Sequence, residues 1–117
     1  VAERAIAYQT TVGQLTISAI TVMEIIRGFQ RADRAGSLQK FLDDLQTIEV
    51  LPFDQPCAMI AGRIEGELLR VGQPIGRMDP MIAATAVHHR LTLVTGNARH
   101  YQRISALGYA LQLDNWR

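Results

Sequence analysis

The 117 residues include one cysteine, Cys57, one lysine, Lys40, and few aromatics, at 6%. A lone cysteine excludes an intramolecular disulfide and a cysteine-based zinc site. Cys57 falls in an apolar helical stretch, where it reads as a buried, inert side chain. Excess charge is missing too: the formal net charge is +1. That is too little to attract nucleic acid by bulk electrostatics, so any such contact must rest on a local patch. The other cations are arginines, which suit bidentate phosphate contact, although a coding bias toward arginine gives the same composition. No apolar run approaches the roughly 20 residues that span a bilayer. No charged-then-apolar leader is visible, and the expectation is a cytoplasmic protein. Val1 stands where an unprocessed chain carries Met, so a trimmed or cleaved start is expected. G-x-G-x-x-G, Walker and G-x-S-x-G motifs are absent.

What is present is an ordinary globular composition, 48% hydrophobic and 20% charged. The length suits one domain over residues 1–117. Residues 1–11 read as the end of a helix, broken at Gly13. The run Leu15 to Ile20 is β-branched and apolar, as in a strand buried on both faces. Thr21 and Glu24 have capping-box spacing, so a helix is expected to open at Thr21. Leu38, Phe41, Leu42 and Leu45 predict one apolar face of a second helix over 37–47. A short strand is expected over 48–53. Asp54 then caps a helix over 55–71, with Ala58, Ile60, Ala61, Ile64 and Leu68 as its apolar face. Asp79 and Pro80 suit the N-cap and first turn of a helix over 81–89. Leu91 to Thr95 is the clearest strand; a short helix over 99–104 and a last strand over 109–113 follow. Strands alternating with helices predict an α/β fold with a largely parallel sheet.

Ligands of such sheets bind outside the carboxyl ends of the strands. The polar residues there are Glu24, one turn beyond the first apolar strand, and Gly96, Asn97 and His100 beyond the clearest one. Asp79 opens the helix that feeds that strand. Each also has a structural explanation. Glu24 completes a capping box, Asp79 is an N-cap, Asn97 suits a turn and His100 a surface. Asp33, Asp43 and Asp44 read as a solvated helix face. His88 and His89 suit a helix C-terminus, and being adjacent they cannot share one face of a zinc-binding helix. Carboxylates with Asn or His near one cleft suit a hard cation such as Mg²⁺. The residues themselves lead to a possible Mg²⁺ site in an α/β protein and no further.

Three blocks resemble the PIN-domain family, in particular its VapC-type ribonuclease toxins. They are Ser18 to Gly28, Gly76 to Ala86 with its D-x-x-I-A-A-T-A wording, and Leu93 to Ile104. The ending from Leu107 through Leu113 to Trp116 is similar as well. The resemblance implies a three-layer α/β/α fold and metal-dependent hydrolysis of RNA phosphodiester bonds. It implies Asp79, Glu24 and Asn97 as catalytic, metal-holding residues, with Mg²⁺ or Mn²⁺ as cofactor. It places His100, Arg77, Arg99 and Arg103 near substrate. It implies a homodimer neutralised by a VapB-type antitoxin, within a type II toxin–antitoxin pair. Two departures stand out. The family's first strand, which ends in an Asp-Thr-Asn-like motif, has no counterpart before Thr11. Its loss is expected to leave an unpaired slot in the sheet and a poorly stable or inactive chain. Asn97 is neutral where many relatives carry an acid, which weakens metal affinity. The alternative reading is therefore a catalytically defective module that binds an antitoxin or RNA without cleaving. A phosphoacceptor domain built on Asp79 fits less well, because Lys40 lies in a helix rather than after a late strand.

Overall fold

The computed structural model describes residues 5–9, 15–96 and 98–115. Five strands form one sheet: β1 (Ala5–Gln9), β2 (Thr16–Ser18), β3 (Glu49–Leu51), β4 (Thr92–Thr95) and β5 (Gln112–Asn115), in the order β3-β2-β1-β4-β5. β2 pairs with β3 and β4 with β5 in parallel. β1 lies between the two pairs and runs antiparallel to both β2 and β4. The four outer strands therefore share one direction, as an α/β sheet requires, and their carboxyl ends lie along one edge. The sheet is flanked by helices.

Two expectations fail at the same place. Residues 5–9 form a central strand instead of a helix end, and the slot expected to be empty is filled. Strand formation is decided by what a segment can pair with more than by its own preference. Here β2 and β4 both offer open edges, and β1 satisfies them. Tyr8 sits opposite Thr16 on one side and Leu93 on the other. Its hydroxyl donates to the Ile82 carbonyl at 2.8 Å.

Helix starts follow from side-chain caps. Helix α1 (Ala19–Arg31) opens directly after β2, because Ser18 keeps an extended backbone and accepts from the Thr21 amide at 2.9 Å. Thr21 is thus three residues inside the cap, and the capping box expected at Thr21–Glu24 does not form. Helix α2 (Ala35–Asp44) follows a turn in which Asp33 takes a left-handed φ of 56°. It runs into a 3-10 turn over Leu45–Thr47. Its expected apolar face is only half-covered, and Leu42 is exposed. Helix α3 (Gln55–Arg70) is capped as expected, with Asp54 accepting from the Cys57 amide at 3.3 Å. Cys57, Ala61, Ile64 and Leu68 form its buried stripe, whereas Ala58 is exposed.

Helix α4 (Met78–His89) carries five consecutive buried residues, Ile82 to Ala86, and is covered all round. It packs against α1, α3, β1, β4 and α5 (Ala98–Ala106). The core surrounds it: Tyr8, Ile64, Leu68, Ile82, Leu93, Tyr101 and Ile104 are all buried in one cluster. Arg90, in the left-handed region, ends the helix, and its amide bonds back to the Val87 carbonyl. The last strand begins three residues later than its apolar letters suggest.

Candidate active site

The site lies where α1, the start of α4 and α5 meet. Asp79 is the second residue of α4, inside the first turn instead of at the N-cap, which is Arg77. It is 2% exposed. A carboxylate so buried needs polar partners, and α5 supplies two in succession. The Tyr101 hydroxyl donates to Asp79 Oδ1 at 3.1 Å. His100 Nδ1 lies 3.2 Å from Asp79 Oδ2. The imidazole is 37% exposed, so the second contact faces outward. Tyr101 is wholly buried.

Glu24 approaches from α1. Its side chain is 10% exposed and stands 4.0 Å from the guanidinium of Arg27 one turn on. The negative charges of Asp79 and Glu24 both act at the Tyr101 hydroxyl. Burial first, then Asp79, push that phenol far above its ordinary value. It stays protonated and serves as a donor. Tyr8 is likewise pushed up by burial, against hydrogen bonding to Ser18 and Thr85. Of the residues expected from motif wording, Asp79 and His100 are in direct contact, and Glu24 lies on α1, which packs against α4. With Ser18 as the cap, Glu24 has no capping-box role to explain it.

The arginines differ in their surroundings. Arg77 is exposed and lies 3.8 Å from Glu65. Arg99 is exposed on α5. Arg103 donates to the Pro74 carbonyl at 3.2 Å and braces the loop before α4. Asn97 lies outside the described residues. Tyr101, which bonds to Asp79, is a residue that sequence reading did not single out. Its signal was a tyrosine at a position whose burial a phenylalanine would serve equally.

Among the described residues, no group of three or more His, Cys, Asp or Glu side chains is spaced to hold a metal ion. Two oxygen-donor carboxylates remain. They fit a hard cation that keeps several of its waters, and fit poorly a metal that demands nitrogen or sulfur. No helix among the described residues is long and apolar enough to cross a membrane.

Comparison with known proteins identifies the family. The PIN domain family profile matches residues 1–106. The tRNA(fMet)-specific endonuclease VapC of Shigella flexneri is 34% identical over 96 residues, which are 81% of this chain and 73% of that protein. The Salmonella typhimurium protein of the same name is 32% identical over 110 residues, 93% of this chain and 80% of the relative. Among solved structures, VapBC2 from Rickettsia felis bound to a promoter DNA fragment superposes with a TM-score of 0.76 at 31% identity, covering 89% of this chain and 76% of that one. DNA-bound VapBC from Salmonella typhimurium gives 0.75 at 33% identity, covering 87% and 75%. The chain belongs to the PIN domain family and, within it, to the VapC type.

Proposed function

We propose that this chain is a Mg²⁺-dependent endoribonuclease, the toxin of a type II toxin–antitoxin pair, and that it hydrolyses RNA phosphodiester bonds in the cytoplasm. The observation that carries the reading is the buried Asp79 carboxylate, met by Tyr101 and His100, with nearly buried Glu24 on the adjoining helix α1. Relatives named as VapC endonucleases support the reaction class. Solved relatives in VapBC assemblies support a VapB-type antitoxin as partner. A homodimer is part of the same proposal.

Asp79 and Glu24 would hold the cation, with Asn97 as a further oxygen donor and Mn²⁺ as a substitute. Bound there, the ion supplies an activated water and stabilises charge on the scissile phosphate. The chain does the rest. The buried first turn of α4 fixes Asp79, and its helix N-terminus favours the negative charge it carries. Glu24 adds a second negative group, and the partly exposed His100 can hold a phosphate oxygen or a water. Exposed Arg77 and Arg99 offer guanidinium groups to the RNA backbone, with Arg103 beside them, a contact that positions RNA without reading its sequence.

The test is incubation with mixed structured RNA in Mg²⁺, in Mn²⁺ and in EDTA, beside Asp79→Ala. Cleavage that requires metal and disappears in the variant is the expected result. A folded chain that binds RNA in a gel shift but never cleaves it would overturn the enzymatic reading in favour of a binding module.

A further inference from the structure

Tyr101 is wholly buried in the core on α5, yet its hydroxyl ends 3.1 Å from Asp79 Oδ1. Packing alone does not require that oxygen, since phenylalanine fills almost the same volume. A buried hydroxyl costs stability unless it is bonded, and the partner chosen here is the carboxylate at the centre of the site. The next residue back, His100, meets the other oxygen of the same carboxylate at 3.2 Å. One helical step thus contacts both oxygens, the inner one from the core and the outer one from the partly exposed side.

We infer that Tyr101 is a positioning residue of the active site, whose hydroxyl holds the Asp79 carboxylate in the one rotamer that leaves Oδ2 on the exposed side beside His100. The inference rests on the proposed metal-dependent reaction for its functional meaning, but the hydrogen bond itself does not. A rigid aromatic ring suits this task. It has two side-chain torsions, both locked by packing, so the donor is presented with little further loss of freedom. α5 is itself fixed, by buried Ile104, by Arg103 on the Pro74 carbonyl and by Ser105 on the Leu111 carbonyl. Hydrogen bonds to a metal-holding carboxylate commonly set metal affinity by roughly 10–100-fold.

The experiment compares the full chain with Tyr101→Phe and, as a control, Tyr8→Phe, which removes a different buried phenol from the same core. Three quantities are read: the ¹³Cγ resonance of Asp79, Mn²⁺ affinity by calorimetry, and kcat and KM for RNA cleavage. Tyr101→Phe is expected to move the Asp79 resonance and weaken Mn²⁺ binding roughly tenfold. It should lower kcat with KM little changed, and raised Mn²⁺ should restore the rate. Tyr8→Phe should melt earlier and keep its Mn²⁺ affinity. An unmoved Asp79 resonance overturns the inference, as does a moved resonance with undiminished Mn²⁺ affinity. If the parent chain neither binds Mn²⁺ nor cleaves, the proposed reaction fails. The Asp79 resonance then still decides whether Tyr101 holds the carboxylate.

Discussion

The two carboxylates of the candidate site stand on supports of different quality. Asp79 projects from α4, the most enclosed helix, where Asp79, Pro80 and the run Ile82 to Ala86 are all buried. Glu24 projects from α1, in which Thr21 alone is fully buried, and α1 leads into α2, which buries no residue. Helical stability comes mostly from packing one face against the rest. The α1–α2 hairpin has little of that beyond its first turns, whereas the α3–α4 pair has it along its whole length. One acid is thus fixed by the core and the other is carried by a lightly anchored arm. A groove of about 670 Å³, lined by Val22, Met23, Ile26 and Arg27, runs along that arm.

Substitutions can break or sharpen this contrast. The largest effect is expected in the core. Ile64→Ala or Ile82→Ala should cost about 2–5 kcal/mol in denaturant unfolding, the usual range for a fully buried isoleucine. The partly exposed Leu42→Ala in α2 should change it by about 0.5 kcal/mol or less. Equal losses at both places would contradict the contrast. Next comes the pair of acids. Asp79→Asn should lower RNA cleavage by roughly 10²–10³, the size expected for losing a charge-stabilising group. Glu24→Gln should lower it less, by about 10–10², and the order of the two rate losses is the measurement. Tyr8→Phe follows, at about 1 kcal/mol of unfolding free energy for one buried hydrogen bond; no loss would argue against the Tyr8–Ile82 bond.

The smallest effect is at the start of α3. The Asp54 carboxyl is held below its ordinary value, first by its hydrogen bonds to Cys57. A depressed carboxyl stabilises the fold above its unfolded value and stops doing so as pH falls through its folded one. Asp54→Ala should therefore lower the melting temperature at neutral pH. The gap to the parent should close as pH drops below about 4. A gap that stays constant into acid would mean the cap acts through something other than its charge.

Local rules were enough for most elements. Asp54 as cap and the stripe Ala61, Ile64, Leu68 were legible because both depend on spacing along one helix. The apolar runs at Thr16–Ser18 and Thr92–Thr95 were legible because short β-branched stretches beside turns seldom do anything else. What escaped depended on distant partners. Residues 5–9 carry no local mark of a central strand; β2 and β4 make them one. Thr21 had the letters of a cap, but the strand ends at Ser18 and the cap goes there. Glu24 and Asp79 were singled out through motif wording. Tyr101 was missed because its meaning lies in a bond to a residue far back in the chain, and tyrosine beside histidine on an amphipathic helix looks like core.

The reversed central strand also bears on how the protein is made. β1 lies near one end of the sequence, and its most extensive pairing is with β4, near the other. During synthesis on the ribosome, at about 5–20 residues per second, β1 must wait roughly 4–17 s before β4 has been added. Until then the edge of β1 that faces β4 has no strand to pair with. The nascent chain thus carries a bare strand edge for seconds, the interval in which a chaperone has most to gain by arriving early.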